Sequence, residues 1–429
     1  MAVFSRLFGQ RHQPPAVHDF ADDYVYPLHL QDFNFRKLIM ACTMRFDHVL
    51  DADKLYDGLT RLFEMGDWKK LGGRLRQNAD GKLEIHVPKQ YSAERPAVTF
   101  SRHDLSSTPI ASHHLAGKLP VPTERTSVQP NPYSLIDLGV RPDIPKTIGE
   151  MIGKDLPQIS LHVTSFQDAT LVGISWPHSA MGSQGFKHLI HAWSLVVGSR
   201  DKQVPRFLGA NHDVLLDIED SEKEESREDL IFQKDRLSGL GLLLFLLRFV
   251  WNSLWNSPVD VKSVFFPQKA LSQLQAACRQ EIADTSEAKT EAIDAQATLL
   301  AWFARVAASA TSESTPVTII TIFDARQQLS AVLDQAGVYV QNMVGYTFSF
   351  LSGRIARGGL GPLVREHISH CREQSTEQQC LSFLRMYRRA AHERNAFKPF
   401  YGPASAHAIA CNSLVNADLI RTTTEETSG

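Results

Sequence analysis

The hydrophobic pattern changes period most sharply between Leu171 and Val197. Leu171 to Trp176 is a nearly continuous apolar run, the pattern of a strand buried on both faces. Pro177 turns the chain, and the apolar positions from about Gln184 to Val197 then recur at helical spacing, entered through Gly182 and Gly185. Ahead of this run, Ile159 to Trp176 reads as a β-hairpin folded at Gln167-Asp168. Farther upstream, Val25 to Phe33 is extended and aromatic, and Leu38 to Leu50 has strand character over part of its length. Asp51 to Met65 places Leu55, Leu59, Leu62 and Phe63 on one helical face, with Asp51 or Asp53 as cap, and Lys82 to Pro88 alternates as a strand does. Residues 105 to 147 hold many prolines and serines with little periodicity, as a long surface excursion would.

The pattern restarts near Val261. The spacing predicts a strand over 261–267 and a helix with Pro267 at its first turn. Ala292 to Ser309 reads as a helix capped by Asp294 that buries Leu299, Leu300, Phe303 and Val306. Thr315 to Arg326 reads as an apolar strand, Val338 to Ser352 as a strand region broken by Gly345, and Leu381 to Arg394 as a helix carrying Arg385, Arg388 and Arg389. Between the halves, 211–229 is acidic and reads as a solvated crossover. The expected organisation is an N-terminal domain over 1–210, a crossover with an apolar helix over 211–260, and a C-terminal domain over 261–429. The fold class is α/β, with mixed sheets flanked by helices.

Composition changes this picture little. A length of 429 residues suggests two or three domains, and a formal net charge of -2 gives no reason to expect a nucleic-acid partner. Five scattered cysteines without a CxxC pair argue against a disulfide framework or a zinc site and favour a reducing, cytoplasmic setting. The first residues lack the continuous apolar core of a secretory signal and read as a frayed leader. The uninterrupted apolar run from Gly239 to Leu247 is nine residues long and is followed by Arg248. A bilayer span needs about 20, so Leu237 to Trp255 reads as a buried or surface-lying helix. The expected oligomeric state is a monomer.

His178 is the main chemical candidate. It sits where a buried strand ends and a glycine-containing turn begins, which gives a side chain access and a fixed orientation, and glycines there let a ligand approach the backbone. A neutral imidazole with a pKa near 6.5 can take a proton from a hydroxyl as that hydroxyl attacks a carbonyl carbon. Ser179 and Ser183 lie outside any GxSxG elbow. His188 and His191 lack acidic or cysteine companions at metal-ligand spacing and read as packing or surface residues. Asp324 and Arg326 end their strand as a pair that fixes a turn, and Arg385, Arg388 and Arg389 read as a solvated face.

The segment WPHSAMGSQGF resembles the HxxxD(G) signature of the fungal branch of the BAHD-type acyl-CoA-dependent acyltransferases, related in fold to chloramphenicol acetyltransferase and peptide-synthetase condensation domains. YPLHLQDF, IFDAR followed by YVQNMVGYTF, and CNSLVNADL fall where that family has comparable segments. The resemblance implies two similar-sized chloramphenicol-acetyltransferase-like domains with a solvent channel between them, and no bound cofactor. Acyl-CoA is the implied co-substrate, and His178 the general base toward a small hydroxylated acceptor. It makes Trp176, Phe186, Asn342 and Tyr346 channel-lining residues and Asp324 and Arg326 architectural. Two departures stand out. Gly182 occupies the place of the motif aspartate, whose usual arginine partner, with Arg326 the candidate, would be left unpaired. A DFGWG-like segment expected after Leu419 is replaced by a polar stretch. Both point to an alternative class, a family member that binds a ligand or partner with little or no turnover.

Overall fold

In the computed structural model, residues 22–221, 228–255, 260–284, 293–392 and 400–412 are described. The leader, Glu222, Glu224 and Glu225 of the acidic join, and the chain after Asn412 lie outside them. The first half runs β1 (Tyr24–Pro27), α1 (Leu30–Asn34), β2 (Ile39–Phe46), α2 (Ala52–Leu62), β3 (Arg74–Gln77), β4 (Leu83–Val87), β5 (Thr99–Leu105) and β6 (Ser127–Gln129). It continues with α3 (Ile148–Gly153), β7 (Ser160–Phe166), β8 (Thr170–Pro177), α4 (Ser183–Val197) and β9 (Phe207–Leu208). Its main sheet has the order β2-β8-β7-β5, antiparallel except for the parallel β5–β7 pair. Every residue of β8 is buried, as its apolar run demands. Leu59 and Leu62 of α2, Leu189 and Val196 of α4, and Leu161 and Ile174 of the sheet meet in one core. Of the two candidate caps of α2, Asp51 performs the task, its carboxylate accepting from the amides of Asp53 and Lys54 at 3.0 Å.

The second part contains α5 (Val214–Ser221), α6 (Gly239–Trp255), β10 (Ser263–Phe265), α7 (Gln268–Ala283), α8 (Ala295–Ser309), β11 (Val317–Asp324), β12 (Val338–Tyr339) and β13 (Val344–Leu351). It ends with α9 (Gly353–Arg357), α10 (Leu360–Gln374), α11 (Glu377–His392) and β14 (His407–Asn412). Its sheet has the order β13-β11-β14, antiparallel then parallel. Two short ladders tie the halves together: β10 pairs antiparallel with β6, and β12 pairs parallel with β9.

Several expectations change. Val25–Phe33 is not extended throughout, because the backbone coils into α1 after His29. β5 forms in a stretch without a clear strand pattern, its exposed positions reflecting a sheet edge. The surface excursion carries a small core of its own, with Ile110, Leu135 and Leu138 against Phe166 and Leu171. In the join, Leu215 and Ile218 are docked against Leu329 and Leu384, so part of it is packed rather than solvated. α6 lies on the surface: Leu240, Phe249, Trp251 and Trp255 are all more than half exposed, and none of its residues is buried. Among the described residues no helix is long and apolar enough to cross a membrane.

Gly345 does not break its strand. It pairs with Phe323 within the continuous β11–β13 ladder, and the irregular stretch is 340–343 instead. α8 is capped by Asp294 as expected, but its buried face is Ala297, Leu300, Ala301, Ala304 and Ala308. Phe303 and Val306 are 53% and 48% exposed. The alanines let the helix approach its neighbours closely and turn the larger residues outward. Leu300→Ala is therefore expected to cost ~2–5 kcal/mol and Phe303→Ala about 0.5 kcal/mol or less in denaturant unfolding. The reverse ranking would contradict this helix orientation.

Candidate active site

The strand-turn-helix predicted around His178 is held from three sides. The His178 amide donates to the Leu38 carbonyl at 2.8 Å, fixing the turn to the entry of β2. The Ala180 amide donates to the Pro177 carbonyl at 2.8 Å, and the Trp176 indole N–H donates to the Met181 carbonyl at 3.0 Å. Phe186 stacks on Trp176 with ring centroids 4.5 Å apart. Gly185 is required by close approach, since a Cβ there would sit 2.4 Å from the Val340 carbonyl oxygen. Ser179 is fully buried, which removes it as an accessible nucleophile.

A cleft of about 830 Å³ opens between the halves. His178, Gly182, Ser183 and Gln184 line one side, with Phe35; Gln296, Ile322, Asp324, Gln327, Asn342 and Asn412 line the other. The His178 ring stacks on Phe35 at 4.4 Å, and its Nδ1 is buried without a hydrogen-bond partner. Burial lowers the imidazole pKa below its ordinary value, partly offset by the histidine's own backbone, the charge of Asp32 and the Asn342 side chain. The ring is therefore neutral at pH 7, the state a proton acceptor requires.

Of the four residues expected to line the channel, Asn342 alone lines this cleft. Trp176 and Phe186 are 5% and 2% exposed and brace the motif loop from the core, where large aromatic rings gain most by burial. Tyr346 packs beside Phe383, with ring centroids 5.5 Å apart, away from the cleft lining. Asp324 borders the cleft and pairs with the Arg326 guanidinium, and its Oδ1 accepts from the Arg326 amide at 3.0 Å. Arg326 also donates to the carbonyls of Tyr339, at 3.0 Å, and Gln341. It is thus well partnered without a carboxylate at position 182, contrary to the expectation of an orphaned arginine. Arg385 donates to the Glu228 carbonyl at 3.0 Å instead of forming part of a free basic face.

Reading residues alone missed Asp32. It is 2% exposed, and its Oδ1 accepts from both the backbone amide of Asn342 (2.8 Å) and its side-chain amide (2.7 Å). Asn342 Nδ2 also donates to the His178 carbonyl at 2.9 Å. Behind Asp32 stand His29, at 3.4 Å, and Lys70, whose Nζ lies 3.2 Å from His29 Nε2 and whose pKa burial lowers to about 8. Gln31 and Asp213 extend the clamp: Gln31 exchanges two hydrogen bonds with the backbone of Val344, and Asp213 accepts from Leu30 N and Gln341 Nε2. The signal was present as a polar HLQD after an aromatic strand and a polar QN between apolar residues. Nothing in either segment names the other as partner. Among the described residues no three His, Cys, Asp or Glu side chains gather as a metal set.

Two mixed sheets flanked by helices, with a histidine-bearing turn at the cleft between them, are the architecture of the chloramphenicol-acetyltransferase-like acyltransferases. No family model matches the chain. Acetyltransferase BOT5 of Botryotinia fuckeliana is 32% identical over 410 residues, 93% of this chain and 74% of that protein. O-acetyltransferase PaAT-2 of Phomopsis amygdali is 30% identical over 381 residues, 86% of this chain and 77% of that one. The crystal structure of F. graminearum TRI101 complexed with coenzyme A and T-2 mycotoxin superposes with a TM-score of 0.58 at 14% identity. It covers 91% of this chain and 83% of that one, a likeness of fold alone. The chain belongs to the fungal BAHD-type acyltransferase family.

His188, on α4, is also shifted by burial. Burial first, then the nearby charge of Arg326, lowers its pKa to about 4. A histidine whose folded pKa lies below its unfolded value costs nothing at pH 7. It withdraws stability as pH falls from about 6.5 toward about 4, where the unfolded chain binds the proton more readily. His188→Gln is therefore expected to lose less stability than wild type over that interval in denaturant titrations. Parallel pH profiles would contradict the assignment.

Proposed function

We propose that the protein transfers an acyl group from acyl-CoA to a hydroxyl of a small secondary metabolite, with His178 as the general base. The observation that carries this reading is a neutral imidazole bordering a cleft that both halves line, on a turn pinned by Leu38, Met181 and Asn342. With Nδ1 buried, Nε2 is the nitrogen left to meet an acceptor. It takes the hydroxyl proton as the oxygen attacks the thioester carbonyl carbon. The tetrahedral intermediate collapses with cleavage of the C–S bond, and the imidazolium returns the proton to the departing thiolate. The products are the ester and free CoA-SH, and the base is regenerated. The names of the relatives support the reaction class, and the coenzyme A bound in TRI101 supports the donor.

In this reading Asn342 and Asp324 border the substrate space, while Trp176 and Phe186 support the loop and Tyr346 supports the second sheet. The domain division at 1–210, 211–260 and 261–429 is retained as a proposal, with the cleft at the meeting of the outer two. Gly182 favours a second reading, a member that binds CoA or a ligand without turnover. The two separate in one experiment, CoA release from acetyl-CoA with a panel of hydroxylated polyketides and terpenoids. His178→Ala is expected to lower the rate by ~10²–10⁴-fold, and equal rates in the two proteins would remove His178 from the chemistry. CoA binding with no release above background across the panel would favour the second reading. In the active case kcat/KM rises with pH along an acid limb centred below the ordinary histidine value, as a base that must be neutral requires.

A further inference from the structure

The residue that would fill the motif position in relatives of this kind has no side chain here, yet the space beside the turn is occupied. A Cβ built on Gly182 would lie 2.8 Å from Asn342 Oδ1 and 3.9 Å from His178 Cε1. The orientation of that amide follows from its partners. Asp32 Oδ1 and the His178 carbonyl can only accept hydrogen bonds, so the amide nitrogen faces them and Oδ1 faces Gly182. Asn342 and Asp32 are each 2% exposed, and the backbone amide of Asn342 adds a further bond to Asp32. Position 182 and position 342 therefore compete for one space, and the glycine is what lets the asparagine hold the histidine turn.

We propose that Asn342, locked by Asp32, is the positioning residue of the His178 turn, doing from the second half of the chain what a side chain at position 182 would otherwise do. This inference rests on His178 as the base, and it goes further: it says that glycine at 182 is matched to Asn342 and that restoring an acidic residue there harms the site. The turn is held by a neutral amide on a buried carboxylate, with His29 and Lys70 behind it. The charge that acts on His178 is that of Asp32 on α1, and Asp324 lines the same cleft.

The test compares wild type, Gly182→Asp, Gly182→Ala, Asn342→Ala and the double variant Gly182→Asp/Asn342→Ala as full-length chains. Two readouts are used: kcat and KM for CoA release, and the His178 Cε1–H resonance followed against pH, assigned by its loss in His178→Ala. Gly182→Asp is expected to lower kcat by about 10- to 100-fold, with KM within about threefold, as misplacing a catalytic group does. It should also move the His178 resonance and its titration midpoint. Gly182→Ala adds a single methyl group against Asn342 Oδ1 and should lower kcat in the same direction, so the proposal stays testable if Asn342→Ala does not fold. In the double variant the losses should be less than multiplicative, because the two positions share one space. Wild-type kcat with an unmoved resonance in Gly182→Asp, or losses that multiply in the double variant, would overturn the proposal. If wild type releases no CoA, the acyl-transfer reading fails separately, and the resonance shifts together with a melting-temperature cycle over the same variants still decide the positioning role. Less-than-additive melting losses support it and additive losses overturn it.

Discussion

The contact on which this site depends is a buried carboxylate, Asp32, holding both amide groups of Asn342. An isolated carboxylate in such a place is costly, and the carboxylate is tolerable only while its hydrogen bonds are complete. The requirement is mutual. Asn342 is fixed because Asp32 must be satisfied, and the His178 carbonyl is held because the remaining amide hydrogen of Asn342 has nowhere else to go. Gln31 repeats the logic one residue earlier by mimicking a strand neighbour for Val344. Arg326 repeats it from below, filling its donors with Asp324 and the carbonyls of Tyr339 and Gln341. Three polar side chains thus give the irregular stretch 340–343 its shape, although it belongs to no long strand.

Legibility in the sequence followed the range of the interactions. The hairpin β7–β8 and helix α4 were readable because apolar period, turn residues and glycines act within a few residues of one another. The caps Asp51 and Asp294 were readable for the same reason. The face of α8 was not, because Leu300 and Phe303 lie three apart and fit neighbouring stripes about equally well. Tertiary packing chose the stripe rich in alanine. Asp32 was invisible as a functional residue, because its meaning comes from a partner 310 positions away. Trp176 and Phe186 illustrate the complementary error: the family resemblance placed them on the channel, but the two rings stack on each other in the core.

His178 is only partly buried, yet its turn is held in place. Its neighbours Pro177 and Ser179 are buried, so the turn cannot swing out as a unit without exposing apolar surface. The ring itself is stacked on Phe35 and bordered by the cleft. The turn is thus held by core packing on one side and by the polar clamp of the second half on the other.

The length of chain between Asp32 and Asn342 has a consequence for how the protein comes into being. Closing a loop of 310 residues is entropically costly before its contacts form, and such long-range pairings arise late. During synthesis the first half emerges with its sheet and the histidine turn complete in sequence, but Asn342 has yet to be made. A nascent first half therefore lacks the donors that Asn342 supplies to Asp32, and the histidine turn gains its Asn342 hydrogen bond only when the second sheet docks. The order of the His178 turn therefore depends on both halves having been made and joined.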